Sequence, residues 1–402
     1  MTKVAMVLFL GWLVAGLGVA ATIHIPADYP TIQAGINAAS SGDVIVIAPG
    51  VYSGSGNTNL LVDGKSLTIT GETAPTECVI RCSGNVRGFI IRNCGTAVVV
   101  LKGLQVSDSY LLNQSGGAMI ITDSTVELLD CLILNNQISG QNVGGAGIWC
   151  ANSAVLLFNS VLDSNLVECC NSLGGGLYGE NSTIELLNCT VLANESLGDL
   201  AFGGGLAVSG TAVCHIRNSI FWDNEAALGS QLAVLNGAVL DLSYSDVFDG
   251  QMGIAVTGGS TLIWGEGNFT ANPRFASGPG GDWYLSEQAS GQPVTSPCVD
   301  AGDALAVEVC RPFLSEPWCL NSLTTRTDQI PDAGLVNLGF HSIPTAPYTA
   351  TPVPTASPTS FPTETQSPTE TPISTPSSPT PIVTPSPTTE PSLTPTSAPS
   401  RK

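Results

Sequence analysis

Apolar and polar residues alternate singly through many short runs of this chain, as in Thr183-Ile184-Glu185-Leu186, and related runs return at a fixed interval. The units read GGAMIITDSTVELLDCLILNNQ from Gly116, GGAGIWCANSAVLLFNSVLDSN from Gly144, GGGLYGENSTIELLNCTVLANE from Gly174 and GGGLAVSGTAVCHIRNSIFWDN from Gly203. One column of this alignment holds Asp130, Asn159, Asn188 and Asn218, spaced 29, 29 and 30 residues, and the next holds Cys131, Ser160, Cys189 and Ser219. A third column, Asn136, Asn165, Asn194 and Asn224, keeps the same spacing. A fixed period of this length marks a repeat array. Period-two alternation is strand spacing, and the abundant Gly, Asn and Ser argue against helical repeats. Each unit therefore predicts one coil of short strands and turns. Successive coils stack as parallel strands about 4.8 Å apart, so a column becomes a row of touching side chains. A repeated Asn can bond its amide to the copies above and below, which predicts an internal ladder through Asn159, Asn188 and Asn218. Asp130 would end that ladder, because a carboxylate accepts hydrogen bonds but does not donate them.

Outside the coils, Asp28 is a candidate cap for a short helix in which Ile32, Ile36 and Ala39 share a face and Ser40-Ser41-Gly42 ends it. Such a helix would close the open N-terminal end of a solenoid. Irregular early coils follow at Leu67–Ile69, Val79–Ile80, Phe89–Ile91 and Val98–Leu101. Insertions between coils all fall between the last Asn and the Gly run, at 137–143, 166–173 and 195–202, which predicts loops along one side and a groove beside them.

The stretches IPADYPTIQAGINAASSGDVIVIAPGVYSG, from Ile25 to Gly54, and SLTITGETAPTECVIRCSGNVRGFIIRNCG, from Ser66, carry a family resemblance together with the coils. They resemble the right-handed parallel β-helix of the pectate-lyase-like superfamily, in its secreted bacterial polymorphic-outer-membrane and adhesin-like variety. The resemblance implies an all-β, right-handed parallel β-helix over residues 21–290, with an N-terminal capping helix and an irregular C-terminal cap over 291–343. SPCVDAGD from Ser296 and TTRTDQIPDAGLVNLGFH from Thr324 resemble recurring C-terminal motifs of such chains. The superfamily carries lyases, hydrolases, epimerases and proteins of no known chemistry, so it does not choose an activity.

Both ends of the chain differ from this middle. Residues 1–20 have the form of a signal peptide: Lys3, an apolar run from Val4 to Leu17, and Gly18-Val19-Ala20 as a cleavage site. Residues 344–402 are almost entirely Pro, Thr and Ser and predict a disordered, extended stalk. No further apolar run approaches the length of a membrane span. The expectation is a secreted or cell-surface protein. A net charge of -20, from 32 acidic and 12 basic residues, argues against nucleic acid or an anionic membrane as partner and leaves glycans or a cell-surface protein.

Twelve cysteines in a chain of this kind suggest disulfides. Cys131 and Cys189 share a column two coils apart, about 9.6 Å on the strand spacing and too far to bridge. They, Cys150 and Cys214 are expected as small buried fillers. Cys310 with Cys319 and Cys82 with Cys94 are the candidate bridges, and adjacent Cys169 and Cys170 are expected not to pair with each other.

Candidate chemistry is sparse. The resemblance implies that lyases of this fold use calcium-holding carboxylates and an Arg or Lys base; within the regular coils only Arg217 is basic. Glu127 and Glu185 share an outward column with Val155 expected between them, about 9.6 Å apart, within reach of an inverting pair of carboxylates but equally readable as solvated surface acids. Asp300, Asp303, Asp328 and Asp332 are candidate calcium ligands, or else cap carboxylates bonded to backbone amides. Trp149 and Tyr178 stand 29 residues apart, alternating with Ile148 and Leu177. They predict either an aromatic platform for a sugar ring, with Glu180 and Asp199 nearby, or rings covered by the inter-coil loops. The expected function is a binding or adhesion module for glycans, without catalysis and without a cofactor unless it be calcium. The alternatives are a polysaccharide lyase or glycoside hydrolase with an unrecognised site, and an architectural envelope protein.

Overall fold

The computed structural model describes residues 20–314 and 316–344, so all but the last residue of the expected signal peptide and all but the first residue of the expected stalk lie outside it. Three parallel sheets wind around one core. Sheet 1 has ten strands, from Thr22–Ile25 through Thr125–Leu129, Ala154–Phe158, Thr183–Leu187 and Val213–Arg217 to Val239–Ser243 and Thr261–Trp264. Sheet 2 has eight, among them Met119–Thr122, Ile148–Ala151, Leu177–Glu180 and Leu206–Ser209. The third face is split in each regular coil into two short strands, such as Leu132–Leu134 and Gln137–Ser139. The expected insertion loops therefore begin as strands that pair in parallel from coil to coil.

Register follows the repeat. Glu127 pairs with Leu156 and Leu156 with Glu185, so the residue between the two acids is Leu156 and not Val155, which points into the core. Inward positions carry Val126, Leu128, Ile184, Leu186, Cys214 and Ile216, all buried.

Each corner of a coil obeys a two-residue rule. The first residue takes a left-handed backbone and faces out; the second is small or polar and turns in. Asp123, Asn152 and Asn181 have φ of 48, 49 and 50° and are followed by buried Ser124, Ser153 and Ser182. Asp130, Asn159, Asn188 and Asn218 have φ of 48–54° and are followed by the Cys/Ser column. At the third corner, Asn135, Ser164, Ala193 and Asp223 are left-handed, followed by Asn136, Asn165, Asn194 and Asn224. Asn and Asp tolerate this conformation because their short polar side chains bond locally.

The unbroken amide ladder lies in that last column. Asn136 Nδ2 donates to Asn165 Oδ1 at 2.9 Å, Asn165 Nδ2 to Asn194 Oδ1 at 2.8 Å and Asn194 Nδ2 to Asn224 Oδ1 at 2.9 Å, and Asn224 Nδ2 ends on Gln231 Oε1 at 2.8 Å. Asn159, Asn188 and Asn218 face the other way. Within their column Asn159 Nδ2 donates to Asp130 Oδ1 at 3.2 Å and Asn218 Nδ2 to Asn188 Oδ1 at 3.4 Å. Their closer partners are on the C-terminal segment: His341 O and N for Asn159, Asn337 O for Asn188, and Asp303 Oδ1 and N for Asn218.

That segment runs along the flank of the coils and does not merely plug their end. It covers Leu129 and Phe158 at the edge of sheet 1 with Val309, Leu320 and Val336, and covers Leu132 and Val161 with Trp283 and Phe340. At the opposite end of the core the helix Ile32–Ala38 buries Ile32 and Ile36 over the first coil. Its N-cap is Thr31, whose hydroxyl accepts from Ala34 N; Asp28 instead accepts from His24 N at 2.7 Å.

The glycines at the start of each coil answer to close backbone approach. Gly145, Gly174 and Gly203 are left-handed at φ 57–63°, and a Cβ on Gly147 would collide with the carbonyl of Gly176 one coil on. Cys310 and Cys319 form a disulfide that closes the hairpin Cys310–Phe313/Glu316–Cys319. Cys82 and Cys94, the other expected bridge, are instead free thiols, each buried on its own in the core, Cys82 on the strand Cys78–Gly84 and Cys94 with its Sγ 3.3 Å from Arg92 O. Cys131, Cys150, Cys189 and Cys214 are buried free thiols.

Candidate functional site: a groove on the outer face of sheet 1

Alternation turns Glu127, Leu156, Glu185, His215 and Asp241 outward in one row, one per coil. The disulfide hairpin rises at its edge. Arg311 Nη2 of that hairpin lies 2.8 Å from Glu185 Oε1, while Lys102 sits 4.7 and 4.8 Å from the ring centroids of Phe313 and Trp318. Trp318 meets Phe158 edge-on at 5.5 Å between centroids. Further along the row, His215 Nδ1 is 3.5 Å from Asp241 Oδ2, and Arg217 Nη1 is 3.1 Å from Asp303 Oδ2.

These groups border a depression of about 290 Å³ between Glu185, Arg217, Asp241 and Ser243. A second, of about 120 Å³, lies between Thr125, Glu127, Leu156 and Glu185, so Glu185 belongs to both. Across Thr125, Ala154 and Thr183 it opens to a broad shelf of about 750 Å³ bordered by Asp123, Asn152, Asn181 and Thr211. The result is a polar track spanning several coils. Burial raises the pKa of the half-buried Glu127; Arg311 pulls it down and Glu185 pushes it up. The two acids therefore sit in different surroundings, Glu127 half-buried and Glu185, two coils away, paired with a guanidinium. Such a track can donate to and accept from a chain of hydroxyls.

The aromatic pair lies on a different face. Trp149 and Tyr178 are in register on the outside of sheet 2, both half-buried, with Glu180 at the end of the same strand as Tyr178. Tyr178, with Leu173 and Phe202 of the neighbouring loops, packs against the cluster of Ala207, Ala233 and Leu235, and its hydroxyl lies 2.9 Å from Ser209 Oγ. Burial raises its pKa. Asp199 is exposed on a loop.

Of the four C-terminal acids, Asp300 and Asp332 border one depression with Glu287 and Arg326, but the four do not meet at one point. Asp303 is engaged with Arg217 and Asn218; Asp328 takes Arg326 Nε and Nη2 at 2.9 and 2.6 Å; Asp332 accepts from Asn337 N at 2.9 Å and lies 2.8 Å from His341 Nε2. Asp300 is exposed, and burial of its carboxyl followed by Asp332 raises its pKa. Among the described residues no group of three or more His, Cys, Asp or Glu side chains is arranged to hold a metal ion.

Residues 87–270 match the sequence profile of a family described as the right handed beta helix region. The solenoid is a right-handed β-helix. Among solved structures, the β-helix overlaps rice weevil pectin methyl esterase at 12% identity and a TM-score of 0.36, covering 62% of this chain and 89% of that one. The carrot pectin methylesterase gives 13%, 0.31, 63% and 89%, and the pectate lyase Pel9A gives 12%, 0.30, 81% and 98%. At these levels the overlaps add no functional argument. No curated protein sequence matches the chain.

Within the β-helix, the structure draws Glu127, Glu185 and Arg217 into one groove, although each taken alone looks like a solvated surface group. It adds His215, Asp241 and Arg311, which sequence reasoning missed. A signal was present for the hairpin: Leu129, Phe158 and Leu187 fall at outward positions, and three stacked apolar residues require a cover.

Proposed function

We propose that this chain is an extracellular or surface-displayed glycan-binding module, acting without turnover, with the outer face of sheet 1 as its binding track. The observation that carries this reading is the continuous row Glu127, Leu156, Glu185, His215 and Asp241, walled by the Arg311 hairpin and opening onto the Asn152 and Asn181 shelf. A row with one outward side chain per coil, about 4.8 Å apart and polar in all but the Leu156 coil, suits an extended chain of hydroxyl-bearing units. Three acids on the track and a net charge of -20 favour neutral or amino-bearing glycans over polyanions. Trp149 and Tyr178, with Glu180 and Asp199, form the second candidate contact face.

The test is to incubate the full chain with neutral, amino and acidic polysaccharides while measuring retention and released sugar ends. Retention of a neutral or amino polysaccharide without release, weakened at least tenfold by Glu185→Ala and little by Trp149→Ala, is the expected result. The reverse ranking moves the site to sheet 2.

A catalytic reading draws on one observation, the half-buried Glu127, whose pKa burial raises, and the arginine-paired Glu185, about 9.6 Å apart on the strand spacing. Sugar ends released by the wild type and lost in Glu127→Gln would make the chain a hydrolase or lyase. Absence of both retention and release would favour the architectural alternative.

A further inference from the structure

Beside the third sheet, the loop after Leu166–Glu168 carries Cys169 and Cys170, both exposed. Their sulfurs are 3.1 Å apart, inside the contact distance of two unbonded sulfur atoms. Every other free cysteine among the described residues is buried, and Cys310 and Cys319 are already joined. Adjacent cysteines in an extended chain project to opposite sides. Here Cys169 has φ 94°, a conformation that residues with a Cβ seldom adopt, and it brings the two sulfurs to one side. The surroundings hold that shape. Asn142 N donates to Cys170 O at 3.3 Å from the loop below, and Asn171 Nδ2 donates to Asn142 Oδ1 at 3.0 Å. From the loop above, Gly198 packs so closely on Cys169 O that a Cβ there would crowd it. The coil stack thus keeps two thiols together that the expectation from sequence kept apart.

We propose that Cys169 and Cys170 form a redox-active vicinal dithiol, a modification site that small-molecule disulfides oxidise to an internal disulfide. The thiolate of Cys169 attacks one sulfur of the incoming disulfide, its S–S bond breaks, and one small thiol leaves with the electron pair and a proton. Cys170, losing its proton, then attacks the Cys169 sulfur of the mixed disulfide and expels the second small thiol. The protein gives up two electrons and two protons, and the reagent disulfide becomes two thiols. The side chain of Cys170 hydrogen-bonds the Cys169 sulfur and lowers its pKa, which favours Cys169 as the attacking group. Held sulfurs make the second step effectively unimolecular, so the ring outcompetes a second reagent molecule.

The experiment uses the full chain, first reduced and then treated with glutathione disulfide. Native alkylation and peptide mass spectrometry follow. The expected result is two alkyl groups on the reduced loop peptide, and after treatment none, with a mass lower by two hydrogens and no glutathione attached. Cys169→Ser and Cys170→Ser should each instead retain one glutathione on the remaining cysteine. Phenylarsine oxide, which spans paired thiols, should block both alkylations at one equivalent in the wild type. Two glutathiones on the wild-type loop, disulfide-linked dimers as the main product, or alkylation undiminished by the arsenical would each overturn the proposal.

Discussion

Asp130 stands where the next three coils place asparagine, and it is fully buried. Its Oδ1 accepts from Asn159, while Oδ2 has no hydrogen-bond partner. Burial pushes its pKa up to about 7, against the pull of Lys102 and of the Asn159 bond. An unfolded Asp titrates near 3.9, so between that pH and about 7 the folded chain binds the extra proton, and stability falls as pH rises through the window. A shift of this size corresponds to at most about 4 kcal/mol. Asp246, raised by burial to about 6, slopes the same way and makes wild type against variant the informative comparison. Asp130→Asn should therefore raise the melting temperature at pH 8 and flatten its decline between pH 5 and 8. Parallel melting curves for the two proteins across that range would show that the site does not titrate as described. The edge role of Asp130 was legible from its chemistry alone, since a carboxylate cannot pass a ladder on. Its burial was not, because the segment that covers it lies far away in sequence.

Among the elements, the three corners of a coil show why one asparagine column makes a ladder and another does not. Period and composition are the same for both columns. What separates them is position within the corner: Asn159 itself takes the left-handed turn and points away from the core, whereas Asn165 follows left-handed Ser164 and points inward. Repeat spacing carries no information on that choice, so the ladder expected at Asn159, Asn188 and Asn218 is found at Asn136, Asn165, Asn194 and Asn224. The coils, their register and the inward apolar positions were legible because they follow from alternation. Asn165→Ala should leave buried Asn136 N, which donates to Asn165 Oδ1 at 3.2 Å, without its acceptor, and should take one bond each from the side chains of Asn136 and Asn194, which keep partners at Val106 O, Leu134 O and Asn165 N. A cost of roughly 1–3 kcal/mol per orphaned buried group applies. A large drop in melting temperature is expected there, against almost none for Asn152→Gly, which keeps an exposed left-handed corner. Equal effects would mean that the corner, not the ladder, carries the stability.

At the scale of the molecule, the C-terminal segment turns an open-sided stack into a groove-bearing one. It supplies Arg311 and Asp303 to the groove and hides the asparagine column and its apolar neighbours. Its existence as a folded cap was foreseeable from its motifs, but its path was not, since irregular chain has no period to read. The hairpin is held by the Cys310–Cys319 bond, and a bridge closing so short a loop contributes on the order of 2–3 kcal/mol. Cys310→Ser or Cys319→Ser should lower the melting temperature and weaken glycan retention together, as Arg311 loosens from Glu185. Retention unchanged despite a lower melting temperature would separate the hairpin from the binding track. The same segment meets Asn218 through Asp303, Asn188 through Asn337 and Asn159 through His341, one contact for each of three successive coils. It works as a gauge. A gene duplication or deletion that added or removed one coil in this stretch would leave a rung unmatched, so the number of coils beneath the segment is locked while the stack outside it stays free to vary.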